Sequence, residues 1–216
     1  MLALVGSRVW YRTIGHGEFH CERCGGDRPY RHRSGRRLAH VLGIPVASLG
    51  GTGEHLRCTV CRTCYRVDLL AVPTMEQMLV ALLAGTKAAV LAMLRAGDAA
   101  SPAARRRGIE MIRAAGALDY HDVGLAAALA EPAAAERLAG TDGHVGLRPA
   151  MEAFAVQLEM HAREWFLAKV VEVGLADGSL SAEERAVAAT VARYLGMSAT
   201  QGADVISLAE EAAQAG

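Results

Sequence analysis

The order of apolar and polar positions divides the chain into two parts of different texture. Residues 1–72 contain short runs of β-forming residues, such as 8–14 and 54–59, separated by glycine pairs and arginine clusters. This pattern predicts short strands joined by turns. Residues 73–216 are rich in alanine, leucine, glutamate and arginine, which favour helix. The sequence therefore predicts a mainly α protein, with a small β domain over 1–72 and an all-α domain over 73–216.

Capping motifs mark several helix starts in the second part. Ser181 with Glu184 forms a capping box, and Thr74 with Gln77 has the same spacing. Ser101 precedes a proline, which suits the first turn of a helix. Glycines that follow the apolar repeats mark helix ends. The predicted helices cover residues 74–84, 86–96, 102–115, 120–130, 132–138, 148–175, 182–195 and 199–214.

The charges of the two parts are opposite in sign, although 23 basic and 23 acidic side chains give the whole chain no net charge. Residues 1–72 carry 11 arginines and 5 acids, whereas residues 73–216 carry 12 basic groups and 18 acids. Two domains with different partners would have this distribution. The longest apolar runs are interrupted by polar residues, and the N-terminus lacks the pattern of a signal peptide. We therefore expect a soluble, cytoplasmic protein without a membrane span.

Five cysteines are concentrated in the first third of the chain. In a cytoplasmic protein, closely spaced cysteine pairs point to a metal site rather than to disulfides. Two Cys-x-x-Cys pairs would supply the four thiolates of a tetrahedral Zn²⁺ site, which would also stabilise a segment with little core. The first pair is Cys21 and Cys24, whereas Cys61 could pair with either Cys58 or Cys64. A nearby histidine in place of one sulfur is a further alternative, and the candidates are His16, His20 and His55.

This segment resembles a bacterial zinc-ribbon family that has a short Ile-Pro insert between its cysteine pairs. The resemblance rests on residues 17–24 (GEFHCERC), on Ile44-Pro45 and on residues 58–65 (CTVCRTCY). In that family Gly-Thr-x-Tyr follows the second pair. Arg62 stands here in place of the glycine, and Cys64 occupies the variable position. The resemblance implies that the zinc ligands are Cys21, Cys24, Cys58 and Cys61.

A cluster of arginines follows the first cysteine pair. It contains Tyr30 and His32, so that guanidinium groups for phosphates alternate with rings for base stacking. A nucleic-acid surface is one interpretation. A solvated loop in an arginine-rich chain and a docking surface for an acidic protein are the alternatives. The residues of this candidate nucleic-acid or partner surface are Arg31, Arg33, Arg36 and Arg37.

An acidic loop at residues 176–185 (ADGSLSAEER) lies between two predicted helices. Carboxylates at both ends of a short loop offer hard oxygen ligands to Ca²⁺, Mg²⁺ or Mn²⁺. The loop lacks the acidic pattern of an EF-hand. The alternative is purely structural, because Ser181 and Glu184 already form a capping box and acids favour a helix N-terminus.

The acidic loop and its flanks resemble the tellurite-resistance TerB-like family of helical domains. The matching features are an apolar helix that runs into Ala176-Asp177-Gly178, the Ser-Ala-Glu-Glu helix start, and residues 195–198 (LGMS) before the last helix. The resemblance covers residues 148–214 well and implies a compact all-α bundle with an acidic, metal-associated surface. Such domains occur in tellurite-resistance, stress and phage-defence systems. Position by position, the resemblance implies that the cation ligands are Asp177, Glu183 and Glu184.

No catalytic motif is present in the sequence, which lacks a phosphate loop, a nucleophile elbow and a dinucleotide fingerprint. The sequence therefore predicts a non-enzymatic module with structural zinc in the ribbon and a cation or partner site on the helical domain. It would act with protein partners in a stress or tellurite-resistance system. The alternative is a nucleic-acid-associated zinc-ribbon protein with a helical scaffold. An enzyme with redox chemistry at Cys64 is the third hypothesis.

Overall fold

The computed structural model describes residues 5–42, 44–131 and 146–215. The chain forms two compact units, of which the first ends at Gln77 and the second begins at Met78. An antiparallel β-sheet makes up most of the first unit, and the described part of the second consists of helices. The prediction of an N-terminal β region followed by a mainly α region is confirmed. The predicted boundary at 72–73 lies just before the helix that leads from one unit into the other.

The sheet has four antiparallel strands in the order β1-β2-β3-β4. The first three strands have 15 to 17 residues each, so the prediction of short strands is wrong. A short 3-10 helix, Val67–Ala71, follows the sheet. The strands are β1 (Val5–Cys21), β2 (Gly26–Val41), β3 (Ile44–Cys58) and β4 (Cys64–Tyr65).

Bulges explain why the strands continue through segments whose glycines suggested breaks. The pairing of β1 with β2 shifts between Thr13 and Gly15, and the pairing of β2 with β3 shifts at three places. Gly50 and Gly53 lie beside two of these shifts and have φ angles of 117° and 91°. A left-handed residue in a bulge absorbs one extra residue without ending the ladder. The glycines therefore bend β3 rather than terminate it.

The apolar core of the first unit is small and lies at the cysteine end of the sheet. Phe19 and Leu56 are fully buried there together with Cys21 and Cys58. The Phe19 ring packs edge-on against the rings of Tyr30 and Tyr65, with centroids 5.6 and 5.4 Å apart. Beyond this core the sheet extends outward with most side chains at least partly exposed on both faces.

Seven α-helices are present in the described part of the chain. Capping boxes begin helices at Thr74 and Ser181, where the sequence predicts them, and a third, of Ser198 with Gln201, begins the last helix. The predicted helix at 132–138 lies outside the described residues. The helices are α1 (Met75–Ala96), α2 (Pro102–Ala114), α3 (Asp122–Ala130), α4 (Leu147–Ala155), α5 (Met160–Gly174), α6 (Ala182–Tyr194) and α7 (Ala199–Ala215).

Helix α1 is continuous, whereas the sequence predicts two helices that meet at residue 85. Gly85 is buried, and a Cβ atom added there would lie 2.9 Å from Met151 Cε and 3.4 Å from Phe154 Cβ. The glycine therefore permits close packing against α4 and does not end the helix. The sequence does not show this, because a glycine inside a helix and a glycine after one have the same local signature.

The segment Val67–Ala96 corrects the expectation about membrane-spanning runs. Within the described ranges it is the one helical segment whose length and composition would allow it to cross a membrane, with a mean hydropathy of 1.8. About 39% of this apolar stretch is buried inside the protein. Val90, Met93 and Leu94 of α1 lie in the core, and a core helix meets the same criterion. The segment is therefore weak support for membrane insertion.

The predicted long helix at 148–175 is two helices, α4 and α5, and Arg163 holds the break between them. Its guanidinium group donates hydrogen bonds to the carbonyls of Ala155 at 2.8 Å and of Leu158 at 3.0 Å. A third bond, at 2.8 Å, reaches the carbonyl of Leu195 just after α6. One side chain thus satisfies carbonyls at the ends of two helices, which would otherwise be orphaned. The sequence does not indicate this break, because residues 148–175 favour helix throughout.

We expect Arg163→Ala to destabilise the helical unit by about 2–3 kcal/mol, because three carbonyls lose a charged donor. Urea unfolding followed by far-ultraviolet circular dichroism measures this. The control is Arg106→Ala, which removes an exposed arginine from α2 and should cost less than about 0.5 kcal/mol. Equal effects of the two substitutions would show that Arg163 does not hold the α4–α5 break.

Candidate metal centre

Four cysteine side chains converge at the base of the sheet. Their sulfur atoms all lie within 4.8 Å of one another, and in the described residues this is the one group of metal-ligating side chains that meets this criterion. Cys21 Sγ and Cys61 Sγ lie 3.7 Å apart. All the cysteines are free, so the sulfurs are not joined by disulfides. The converging residues are Cys21, Cys24, Cys58 and Cys61.

The first cysteine pair lies in the tight turn between β1 and β2. The carbonyl of Cys21 accepts hydrogen bonds from the amides of Cys24, at 3.0 Å, and Gly25, at 2.9 Å. Gly25 has a φ of 64°, which a glycine adopts without steric cost. The turn therefore presents both sulfurs toward the same point, as the sequence motif predicts.

The second pair lies in the turn between β3 and β4. The Cys58 amide donates to the carbonyl of Thr63 at 3.0 Å, which closes the turn around Cys61. Arg62 has a φ of 60° and stands four residues after Cys58, as Gly25 stands four residues after Cys21. The backbone thus keeps the left-handed conformation although the glycine is absent. Cys64 lies outside the cluster, on β4, and is exposed.

The electrostatics of the cluster favour a bound cation. Hydrogen bonds from the hydroxyl and the backbone amide of Thr63 lower the pKa of Cys61 to about 6. Burial and the neighbouring thiols raise the pKa of Cys24 to about 11. Without a cation Cys24 therefore keeps its proton near neutral pH, because a neighbouring thiolate opposes its ionisation. A divalent ion removes this opposition by pairing with all four charges.

Tyr65 supports the cluster from outside. Its hydroxyl lies 3.3 Å from Cys21 Sγ and accepts a hydrogen bond from the Arg23 amide at 3.3 Å. The bond to Cys21, together with burial, raises the pKa of Tyr65 to about 12. The phenol therefore keeps its proton, and its O–H donates a hydrogen bond to Cys21 Sγ. Such outer hydrogen bonds orient metal ligands.

The histidines considered as alternative ligands do not join the four sulfurs. His20 Nδ1 lies 3.3 Å from Asp27 Oδ1, and the other oxygen of Asp27 accepts the Met75 amide at 2.7 Å. His16 pairs across the sheet with Arg31, away from the cluster, and His55 pairs with Arg33. The structure thus favours the all-cysteine ligand set.

The predicted arginine cluster is divided between the two faces of the sheet. Alternate residues of a strand point to the same face, and β2 pairs with β1 without skipping a residue of its own. Arg31, Arg33 and Arg37 therefore share one face. Arg36 lies on the other face, opposite Trp10. Sequence reasoning missed Arg57, which pairs with Arg31 and joins its face.

The three acidic residues predicted to bind a cation do not form a ligand cluster in the described structure. Glu184 is buried in the capping box, where its Oε2 accepts the Ser181 amide at 2.8 Å and Ser181 Oγ accepts the Glu184 amide at 3.1 Å. Its other oxygen packs against Gly97, since a Cβ atom added there would lie 2.1 Å away. Asp177 and Glu183 are exposed. This geometry favours the structural interpretation of the loop.

A groove of about 830 Å³ between α5 and α7 has no counterpart in the sequence predictions. Apolar side chains line most of it, and two of them, Trp165 and Leu208, are exposed. An ion-pair network of Arg107, Glu172 and Lys169 closes one end. Burial alone would raise the pKa of Glu172, but the hydrogen bonds from Lys169 and Arg107 lower it overall. This carboxylate therefore stays ionised at the rim of the groove.

We expect Arg62→Gly to strengthen metal retention, because a left-handed backbone costs a residue with a side chain about 1 kcal/mol. Titration of the zinc-loaded protein with a chelator measures this, and the variant should retain the metal at higher chelator concentration. Arg66→Gly is the matched control, since Arg66 has an ordinary φ of −71° and gains nothing from the change. If the two variants behave alike, the conformation of Arg62 carries no strain.

Comparison with known proteins places the helical unit in a family. The sequence model described as "Tellurite resistance protein TerB" matches residues 84–206, which is more than half of the chain. The match begins within α1 and ends within α7. It includes most of residues 148–214, the segment that carries the resemblance to TerB-like domains described above. Neither the curated proteins nor the solved structures gave a match. The chain therefore belongs to the TerB family, and it carries a β unit with a four-cysteine cluster before the family's domain.

Proposed function

We propose that this protein is a non-catalytic, zinc-holding module of a tellurite-resistance or related stress system. The β unit would be a zinc ribbon, and the TerB unit would supply the contacts with protein partners. The observation that carries the metal part is the convergence of four cysteine sulfurs within 4.8 Å. Family membership carries the resistance part.

A structural role for the metal follows from the number and burial of the ligands. Four thiolates fill the tetrahedral shell of Zn²⁺ and leave no position for a substrate or an activated water. Cys21 and Cys58 are buried within the small core of the unit. Because that core has only a few large apolar side chains, the free energy of metal binding would contribute directly to folding. Free cysteines also suit a reducing compartment, which supports a cytoplasmic location.

The groove between α5 and α7 supports a role in protein binding. Its apolar lining lies beside an exposed Trp165, and exposed aromatic side chains are typical of protein interfaces. The ion pairs of Glu172 at one end would orient a partner rather than drive its binding. We propose that a protein partner of the resistance system docks in this groove.

Elemental analysis of the purified chain tests the metal part of the proposal. We expect one zinc ion per chain in the wild-type protein and its loss in Cys24→Ser, because a tetrahedral site with three thiolates binds zinc much more weakly. Cys64→Ser is the matched control, since Cys64 lies outside the cluster, and it should keep the ion. A protein without metal, or equal loss in both variants, would contradict the proposal.

The resistance part is tested separately in the native host by deleting the gene and restoring it on a plasmid. We expect the wild-type gene and Cys64→Ser to restore growth on tellurite and Cys24→Ser to restore it poorly. Restoration by Cys24→Ser to the wild-type level would show that the metal site does not contribute to resistance. Normal growth of the deletion strain on tellurite would refute the resistance role and leave the zinc site standing.

A further inference from the structure

We propose that one face of the β-sheet binds single-stranded nucleic acid, with a row of arginines on the phosphates and Tyr11 stacked against a base. This inference goes beyond the zinc and resistance roles and does not depend on them. We call this surface the basic face. It is made by alternate residues of β2 and by their cross-strand neighbours, namely Tyr11, His16, Arg31, Arg33, Arg37, His55 and Arg57.

The arginines on β2 follow the two-residue repeat of the strand. Arg31, Arg33 and Arg37 occupy alternate positions of one strand, with Gly35 at the position between the last two. Alternate residues of a strand lie about 6–7 Å apart, so the row extends over about 20 Å. A line of guanidinium groups at this repeat suits an extended chain of phosphates, because each guanidinium can bind a phosphate through two donors.

Cross-strand partners widen the row and keep it positive. Arg57 and His16 lie on either side of Arg31, and His55 lies beside Arg33. Burial, together with the charges of Arg33, Arg57 and His32, lowers the pKa of His55, as expected in a positive field. The acids that share this face, Glu18 and Asp27, lie toward the cysteine end, beyond the arginine row. A polyanion would therefore meet a continuous positive surface between positions 31 and 37.

Tyr11 supplies an aromatic ring in the middle of the row. It pairs across the strands with Gly35, and a Cβ atom added to Gly35 would lie 2.9 Å from Tyr11 Cε1. The Cδ1–Cε1 edge of the ring therefore lies close to the glycine. The Arg33 guanidinium lies over the ring, 5.2 Å from its centroid, and the His55 ring packs against it in a T-shaped contact at 5.0 Å. The ring is thus held in place, yet 48% of the residue remains exposed.

A single strand fits these features better than a duplex or an acidic protein. The exposed part of the Tyr11 ring can stack only on a base that is not already stacked within a helix. An acidic protein surface would supply carboxylates to the arginines but no unstacked base for the ring of Tyr11. Because the Tyr11 ring is already held in place, stacking of a base on it costs little conformational entropy, and a few arginines suffice for binding.

Fluorescence anisotropy of a labelled 20-nucleotide oligothymidine with the full, zinc-loaded chain tests the proposal. We expect binding whose logarithm falls with log[salt] at a slope of about −2 to −3, since each phosphate contact with a single strand contributes about −0.7. The triple substitution Arg31→Gln, Arg33→Gln and Arg37→Gln should weaken binding at least tenfold and reduce the slope by about 2. Tyr11→Ala should weaken binding about tenfold through lost stacking, with the slope unchanged.

The other face of the sheet provides a control of equal charge. Arg8, Arg12 and Arg36 lie there, and their replacement by glutamine removes the same three charges. We expect this variant to bind within about threefold of wild type, with circular dichroism and zinc content unchanged in both triple variants. Equal loss from the two triples would show that net charge, not the basic face, attracts the strand.

Three other outcomes would overturn the proposal. Phosphate contacts are strong at about 50 mM salt or below, so the absence of binding there would exclude the basic face as a nucleic-acid surface. Tighter binding of the duplex with oligoadenosine would assign the face to double-stranded DNA. Tighter binding of polyglutamate than of the oligonucleotide, measured by competition at equal charge concentration, would indicate a site for acidic protein. The zinc and tellurite experiments do not depend on any of these results.

Discussion

The close approach of four cysteine sulfurs, which oppose one another's ionisation, is the constraint on which the first unit depends. The cysteine sulfurs converge from two turns, and their pKa values diverge, with Cys61 lowered to about 6 and Cys24 raised to about 11. A divalent cation resolves this conflict by pairing with every sulfur. Because the apolar core around Phe19 and Leu56 is small, that pairing would provide much of the stability of the unit.

The four-cysteine cluster and the small core lie at one end of the sheet and leave the faces of the long strands uncovered. The strands continue well beyond the small core, and most of their outer side chains are exposed on both faces. Bulges at Gly50 and Gly53 twist β3, which protects the edge from pairing with another chain. The sheet can therefore present a row of arginines with the Tyr11 ring beside Gly35, a surface that a conventional two-layer fold would cover.

In the helical unit, single polar side chains decide where helices end and how closely they pack. Arg163 binds three carbonyls and separates α4 from α5. Glu184 caps α6 with one oxygen and packs against Gly97 with the other. A residue that the TerB resemblance implies as a cation ligand thus has a structural role. Apolar side chains line most of the groove of about 830 Å³ beside Trp165, which is the surface that we propose for a protein partner.

The sequence by itself determined the features that depend on local chemistry. Capping boxes such as Ser181 with Glu184 located helix starts, and the distribution of residue types separated a β region from a helical one. The cysteine spacing predicted a metal site but left Cys58 and Cys64 as alternatives, between which the resemblance to a zinc-ribbon family decided. Only the tertiary structure decided features that depend on distant neighbours. Whether Gly85 ends a helix depends on Met151, and the α4–α5 break depends on carbonyls that Arg163 reaches across the fold. The division of the arginines between two faces depends on strand register, which a linear cluster of charges does not encode.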